Sequence, residues 1–370
     1  MSLFFFASSL SHSSSSSWTT TREHKRRRTR NERRRAKTSS CSSTKDDVLI
    51  EDDLWIEKRA AFTASLEEGK DNSILSEAYR ERTGRYHIYR ATVSYDGTNY
   101  KGFQLQDDAV ETIQSELERV LTTVAQVDRD VLCLGGAGRT DAGVHARKQV
   151  VHFYTTNPLK DKMNAQRACN RLLNDDVRIL EIAKPHPTFH SRFHCTKKTY
   201  RYTIDFGVPH NSFYRTTAMS VGHRKYDLAK IVEACKLFVG THDFSAFMNR
   251  LRDGKNAEQS AVRTIYAFDV VPSTIFTDEE CSTDKKKCYV DESSSLVHLY
   301  VTGNGFLYRQ VRNMVGAILA VASGRFTLEE LKSLMEKRDR KLLPMGAPAK
   351  GLCLYDVQYP SELYDYCDIM

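Results

Sequence analysis

The stretch Gly138-Arg139-Thr140-Asp141-Ala142-Gly143-Val144-His145-Ala146 decides how the rest of the chain is interpreted. It places an arginine and a carboxylate two residues apart, between two apolar runs at 131–134 and 149–154 that have the composition of β-strands. We therefore expect the charged pair in a loop that leaves the edge of a sheet, where a rigid scaffold often carries catalytic groups. Asp141 is expected to stay ionised beside Arg139. An ordinary surface turn has the same local sequence, so this stretch alone identifies no function.

Four glycines surround the charged pair: Gly135, Gly136, Gly138 and Gly143. Glycine adopts positive φ angles without the steric penalty of a Cβ atom. We therefore expect these positions to let the backbone turn sharply and approach a ligand closely.

Length and composition set the class of protein. The chain has 370 residues, enough for about two ordinary domains. No apolar run approaches the length of a membrane span, so we expect no membrane insertion. Its nine cysteines contain no C-x-x-C pair, which argues against a zinc site and a disulfide framework and favours a reducing compartment.

Charge is unevenly distributed along the chain. The net charge is +8, and residues 1–45, rich in Ser and Arg, carry 11 Lys/Arg against 2 Asp/Glu. This leader cannot bury a core and is expected to be disordered. Its composition is typical of an organelle transit peptide, but a nuclear localisation signal, a nucleic-acid-binding arm or a plain tail fits as well. Residues 46–84 are acidic and are interpreted as a linker or peripheral helix without assigned function.

Residues 85–195 are predicted to form an N-terminal half that carries the charged loop. Strands are predicted at 86–95, before Gly135, after Ala146 and at 177–182, with helices at 112–126 and 160–174. This β-α-β-β-α-β order predicts an antiparallel sheet with helices on one face.

Residues 196–370 are predicted to form a C-terminal half with a similar order of elements. Strands are expected at 197–206, 213–221, 264–271, 296–302 and 353–359, and helices at 227–239, 307–322 and 328–335. A polar segment at 273–294 is interpreted as an exposed insertion. The predicted fold class is α+β: two halves of ferredoxin-like type whose antiparallel sheets form one extended sheet with a central cleft.

Three motifs together resemble one family. The first is Gly138–Ala146. The others are Lys197-Lys198-Thr199-Tyr200-Arg201-Tyr202 and Phe306-Leu307-Tyr308-Arg309-Gln310-Val311-Arg312-Asn313-Met314-Val315-Gly316. All three resemble, in the same order, the motifs of the TruA family of tRNA pseudouridine synthases, and the first matches without a departure.

The resemblance implies an isomerase that breaks the N-glycosidic bond of a uridine in tRNA, turns the base and rejoins it through C5. It implies uridines 38, 39 and 40 of the anticodon stem-loop as targets, and it makes the predicted cleft an RNA-binding one. A homodimer and the absence of any cofactor or metal are implied as well.

The same resemblance assigns roles to individual residues. The reaction needs an ionised carboxylate, either to attack C1′ of the ribose or to take a proton from C2′, and Asp141 is the candidate nucleophile. Arg312 would be its ion-pair partner. Because a paired base must leave its stack, Arg139 would fill the vacated space or hold the backbone, and Tyr200 would stack on the extruded uracil. His145 is expected to support the loop. Phosphate contacts are assigned to Lys197, Lys198, Arg201, Arg192 and Arg309.

Two alternatives to this function stay open. One is a pseudouridine synthase with other RNA targets, and the other is an RNA-binding or chaperone relative that has lost catalysis. Ala142 after Asp141 is similar to the bacterial-type members of the family and, with the leader, favours a plastid or a mitochondrion. The nucleus or the cytoplasm is the alternative location.

Overall fold

A computed structural model describes residues 81, 83–106, 110–249, 260–273 and 295–365. All of them belong to a compact unit that spans Asp71–Met370. The expected leader at 1–45, nearly all of the 46–84 linker and the insertion at 273–294 apart from Ser273 lie outside the described residues.

The N-terminal elements follow the predicted order. They are β1 (His87–Tyr95), α1 (Ile113–Ala125), α2 (Arg129–Leu132), β2 (Gly135–Gly136), β3 (His145–Thr155), α3 (Lys162–Leu172) and β4 (Val177–Ala183). The side chain of Thr112 caps α1 by accepting from the Ser115 amide, and Ser115 returns the bond in a capping box. This cap and the apolar periodicity explain why the helix was predictable from the sequence.

The C-terminal elements continue the same sheet. They are β5 (Lys197–Asp205), β6 (Met219–Ser220), α4 (Leu228–Leu237), β7 (Gly240–Asp243), β8 (Val262–Pro272), β9 (Leu296–Gly303), α5 (Gln310–Ala322), α6 (Leu328–Lys337), β10 (Leu352–Gln358) and α7 (Ser361–Tyr364).

Two predicted strands are wrong. Residues 131–134 do not form a strand, because 129–132 turn into the short helix α2 and the strand is the glycine pair of β2. Four apolar residues fit a buried helical turn as well as a strand, and periodicity cannot separate the two. Most of 213–221 is likewise not a strand: Asn211 caps a 3₁₀ turn at Ser212–Tyr214, and only Met219–Ser220 pair with β5.

The sheet confirms the predicted fold class. Its strand order is β4-β1-β3-β10-β5-β9-β8-β7, with β2 added to β3 and β6 added to β5. Pairing is antiparallel except for β3 with β10 and β5 with β6. The last strand of the chain, β10, thus lies between β3 and β5 and joins the two halves in one sheet.

The sequence had suggested that the charged loop leaves an edge of the sheet, and this prediction is wrong. The loop leads into β3, which is flanked by β1 on one side and by β10 on the other. The loop therefore lies at the junction of the two halves. Long-range pairing of β3 with β10, more than 200 residues later, is invisible to local pattern and explains the error.

One face of the C-terminal sheet is buried against helices. Register places Tyr200 opposite Val301, and Val301 opposite Phe268, on the same face. Phe268 contacts Phe238, which follows α4, and Phe238 contacts Phe247 at 5.1 Å between ring centroids. This packing fixes the face on which Tyr200 lies.

Candidate active site

The loop that carries Asp141 is held on both sides by hydrogen bonds. The Thr140 hydroxyl lies 2.8 Å from the Tyr95 hydroxyl in a buried contact, and the Thr140 carbonyl accepts from the Phe103 amide. The amide side chain of Gln149 donates to the Gly138 carbonyl over 2.7 Å. Because β1 and β3 supply these anchors, the position of Asp141 is set by the sheet.

Only one of the four glycines around the loop has a positive φ. Gly143 lies at φ +74, a backbone conformation that residues with a side chain rarely adopt. Gly135 and Gly136 serve packing instead: a Cβ on Gly135 would lie 2.3 Å from His152 Cε1, and one on Gly136 would lie 2.4 Å from Phe103 Cε1. A Cβ on Gly138 would make only ordinary contacts. The expectation of positive φ was therefore wrong for Gly135, Gly136 and Gly138.

His145 ties the loop to the C-terminal half. Its Nε2 lies 3.0 Å from the carbonyl oxygens of Thr216 and Lys350, and its Nδ1 lies 3.0 Å from Asp96 Oδ1. The hydrogen bond with His145 holds the pKa of the Asp96 carboxyl well below its usual range. This geometry agrees with the expected supporting role of His145.

Asp141 and Arg312 meet as the resemblance implies. Arg312 Nη1 donates to Asp141 Oδ2 over 2.9 Å, and both side chains are 15% exposed. Arg312 lies in the first turn of α5, and its Nε donates to the Ala347 carbonyl over 2.8 Å, which fixes the guanidinium. Both arginine contacts of the carboxylate are made by Oδ2, and no hydrogen bond to Oδ1 is seen among the described residues.

A second arginine approaches the same carboxylate. Arg309 Nε lies 3.9 Å from Asp141 Oδ2, and the Arg309 side chain is 41% exposed. Sequence reasoning had assigned Arg309 to phosphates and missed this pairing, because a side-chain direction set by the backbone leaves no signal in the sequence.

Tyr200 forms the apolar wall beside the loop. It is 8% exposed, and its ring meets Phe306 edge-on with centroids 5.2 Å apart. Its hydroxyl comes within 3.7 Å of where a Cβ on Gly138 would be, so it lies against the loop. Burial raises the pKa of the Tyr200 hydroxyl above its ordinary value, which keeps the hydroxyl neutral.

Lys198 lies under the loop rather than on the surface. Its Nζ donates to the Ala137 carbonyl over 2.5 Å, and burial lowers the pKa of its ammonium group. In this position Lys198 supports the backbone immediately before Arg139. Its phosphate role, which the sequence suggested, has no support from this placement.

The remaining candidates are two residues of β5, Lys197 and Arg201, together with Arg139 and Arg192. Strand alternation puts Lys197 and Arg201 on the face of β5 opposite to Tyr200, where Lys197 lies over the Tyr266 ring and Arg201 over the Tyr355 ring. Arg139 is exposed on the loop itself. Arg192 is exposed as well and lies over Phe193. The phosphate contacts of Lys197, Arg201 and Arg192 stay a prediction.

A buried histidine behind the loop was not singled out from the sequence. His152 Nδ1 lies 2.8 Å from Ser191 Oγ, and Ser191 Oγ donates to the Gly135 carbonyl over 3.0 Å. Burial, with smaller contributions from His194 and Arg85, lowers the pKa of His152 to about 3. His152 therefore supports β2 as a neutral ring.

The described residues contain neither a metal-binding cluster nor a membrane-spanning helix. Among those residues, no group of three or more His, Cys, Asp or Glu side chains is arranged to hold a metal ion. No helix in the same ranges is long and apolar enough to cross a membrane.

Known proteins match this chain over most of the described region. A family model for tRNA pseudouridine synthase matches residues 91–194 and 234–360. The chain is 34% identical to tRNA pseudouridine synthase A 1 of Protochlamydia amoebophila, covering 75% of this chain and 98% of that protein. It is 37% identical to tRNA pseudouridine synthase A of Chlamydia muridarum, over 74% and 93%, and 36% identical to that of Clostridium kluyveri, over 73% and 98%.

Proposed function

The chain belongs to the tRNA pseudouridine synthases, isomerases that convert uridine in tRNA to pseudouridine, and from this premise we propose that it acts on uridines 38, 39 and 40 of the anticodon stem-loop. The observation that carries the proposal is the Asp141–Arg312 pair at the junction of the halves. The choice of positions is supported by the resemblance of all three motifs to the TruA family.

Asp141 is the group that acts on the ribose. Its free Oδ1 attacks C1′, the C1′–N1 bond breaks, and its electron pair leaves with the uracil. The base then turns, C5 bonds to C1′, and the carboxylate is released while the C5 proton is lost and N1 is protonated. If Asp141 instead removes the C2′ proton, the same C1′–N1 bond breaks, and Arg312 still holds the carboxylate in place.

The target base must leave its stack before either step, because Asp141 is only 15% exposed and cannot enter a duplex. Arg139, exposed on the loop, is suited to fill the space that the base vacates or to hold the RNA backbone. Tyr200 offers an aromatic surface beside Asp141 for the extruded uracil.

An RNA-binding or chaperone protein without catalysis is the competing function. Such a protein has no need for an ionised carboxylate with a fixed arginine partner and one oxygen free, since half-buried charge is costly to maintain without a role. The geometry of Asp141 and Arg312 therefore favours catalysis.

The function is tested by incubating the full chain with unmodified tRNA and mapping pseudouridine at each position. The proposal predicts conversion at one or more of positions 38, 39 and 40. Conversion only elsewhere in tRNA or in another RNA would contradict the proposed target positions. Binding without conversion would favour the chaperone alternative.

A homodimer is part of the same proposal, on the strength of the family resemblance. Light scattering on the purified full chain should give twice the mass of 42.3 kDa. A monomer mass at concentrations where the enzyme is active would contradict it.

We further propose a plastid or mitochondrial location. The Ser/Arg-rich, acid-poor composition of residues 1–45, Ala142 after Asp141, and the similarity to bacterial relatives all support it. A fluorescent reporter fused to residues 1–45 should enter an organelle. Accumulation of the reporter in the nucleus would contradict this location.

A further inference from the structure

Arg309 has an unusual backbone for a residue with a side chain. It lies at φ 61, ψ 9, the left-handed region, at the position that precedes α5. Non-glycine residues stay there only when their surroundings hold them. The buried residue Gln310 holds this backbone in place. Its side-chain oxygen accepts a hydrogen bond from the backbone amide of Leu307 over 2.8 Å, and its backbone amide donates to the Leu307 carbonyl.

The side chain that starts from this backbone lies near the carboxylate of Asp141. Its Nε lies 3.9 Å from Asp141 Oδ2, the oxygen that also accepts from Arg312. Two cations thus face one carboxylate oxygen, and the other oxygen is left for the substrate.

The two arginines differ in freedom. Arg312 is 15% exposed and anchored through Nε to the Ala347 carbonyl. Arg309 is 41% exposed, and no hydrogen bond of its guanidinium to another described residue is seen, only contact with the Tyr308 ring. Arg309 is therefore less restrained than Arg312.

The reaction needs a cation of this mobile kind. When the C1′–N1 bond breaks, the negative charge of Asp141 disappears into an ester bond or a carboxylic acid, and a uracil anion appears next to it. A cation that follows the charge from the carboxylate to the uracil interacts more strongly with the transition state than with the ground state, and only such interactions accelerate the step. We propose that Arg309 pairs with Asp141 in the free enzyme and with the detached uracil anion once the C1′–N1 bond has broken. This proposal rests on the proposed function.

A phosphate contact is the alternative role for Arg309. A guanidinium 3.9 Å from a carboxylate is partly neutralised before any RNA arrives, which weakens its attraction to a phosphate. A residue meant for the RNA backbone also has no need of a left-handed backbone that turns it toward Asp141. The geometry favours the uracil anion.

The test compares single-turnover pseudouridine formation at saturating enzyme with the RNA dissociation constant for each variant. Arg309→Gly removes the guanidinium but tolerates φ 61, and Arg309→Lys retains the charge. Arg338→Gly is the matched control, because Arg338 also lies at positive φ, 56, and pairs with Asp243 instead.

We expect Arg309→Gly to slow the saturated rate by about 100-fold, the lower end of the range for loss of one donor to a developing anion, with RNA affinity nearly unchanged. Arg309→Lys should recover a large part of the rate, and Arg338→Gly should behave as wild type. An unchanged saturated rate, a loss confined to RNA affinity, or failure of lysine to rescue would each overturn the proposal. If the wild-type chain forms no pseudouridine at all, it is the proposed function that fails.

Discussion

Asp141 and Arg312 are 171 residues apart in the chain, and their side chains meet at 2.9 Å. Their identities were predictable because each stands in a motif that resembles one family. Their geometry was not, since the bond of Arg312 to the Ala347 carbonyl, 35 residues further along the chain, is a tertiary contact. Lys198 shows the same limit: its sequence suggested a surface cation, and the fold places it half-buried under the loop, bonded to the Ala137 carbonyl.

At the residue scale, loss of the guanidinium at position 312 should remove most of the activity. Arg312→Gln leaves Asp141 without its fixed partner, so we expect the single-turnover rate to fall by about 100-fold or more. Arg325→Gln is the control, because Arg325 is exposed beyond the other end of the same helix. Equal rates for the two variants would show that Arg312 does not serve catalysis.

At the scale of elements, long periodic segments were predictable and short ones were not. The helix at α1 and the strand at β1 have many apolar residues at the right spacing, and both were predicted within a residue or two. The four-residue run at 131–134 carries too few residues to distinguish a helical turn from a strand. The strand β2 was missed because glycines have no strand propensity. These two positions are glycine because neighbouring side chains leave no room for a Cβ atom.

Replacing Gly135 with a larger residue should destabilise the fold around β2. In Gly135→Ala the new Cβ would clash with the His152 ring, so overpacking should cost about 1–3 kcal/mol and lower Tm by about 2–5 °C. In Gly138→Ala, the matched control, the Cβ finds ordinary contacts at 3.7 Å and beyond. Thermal unfolding of both variants measures the difference; equal Tm values would contradict the packing account.

The buried imidazole behind β2 should make stability fall in acid. His152 stays neutral in the fold until about pH 3, whereas the unfolded chain takes up its proton near 6.5. Protons therefore bind preferentially to the unfolded state, and the free energy of unfolding falls as pH falls below about 6.5. Its buried neighbour His190 acts in the same direction, since burial also lowers the pKa of His190.

Urea unfolding at pH 7.5, about one unit above the titration of the unfolded histidine, and at pH 4.5, about two units below it, measures this contribution to the free energy of unfolding. His152→Asn keeps a polar group near Ser191 but has no proton to gain, so its stability should depend less steeply on pH than that of wild type. Parallel pH curves for the two proteins would rule out His152 as the acid-sensitive group.

At the scale of the whole molecule, the insertion of β10 between β3 and β5 makes the two halves one sheet. The α+β class and the extended sheet were predictable from the order of elements. The crossing was not, because the pairs Cys353 with His145 and Leu354 with Ala146 depend on contacts across most of the chain.

One sheet should unfold as one unit. Leu354 is fully buried in β10, and Leu354→Ala should cost about 2–5 kcal/mol by leaving a cavity. We expect the whole transition, followed by far-ultraviolet circular dichroism, to shift to lower temperature and remain single. Two separate transitions in the variant would indicate halves that fold independently.

We propose that Asp141, held by Arg312 where the halves meet, performs the chemistry on the ribose. The most direct measurement is pseudouridine formation by Asp141→Asn on an anticodon stem-loop RNA, with the dissociation constant of that RNA measured alongside. Asparagine keeps the size of the side chain and removes its charge, so we predict no detectable pseudouridine and largely retained RNA binding. Turnover by Asp141→Asn would contradict the account.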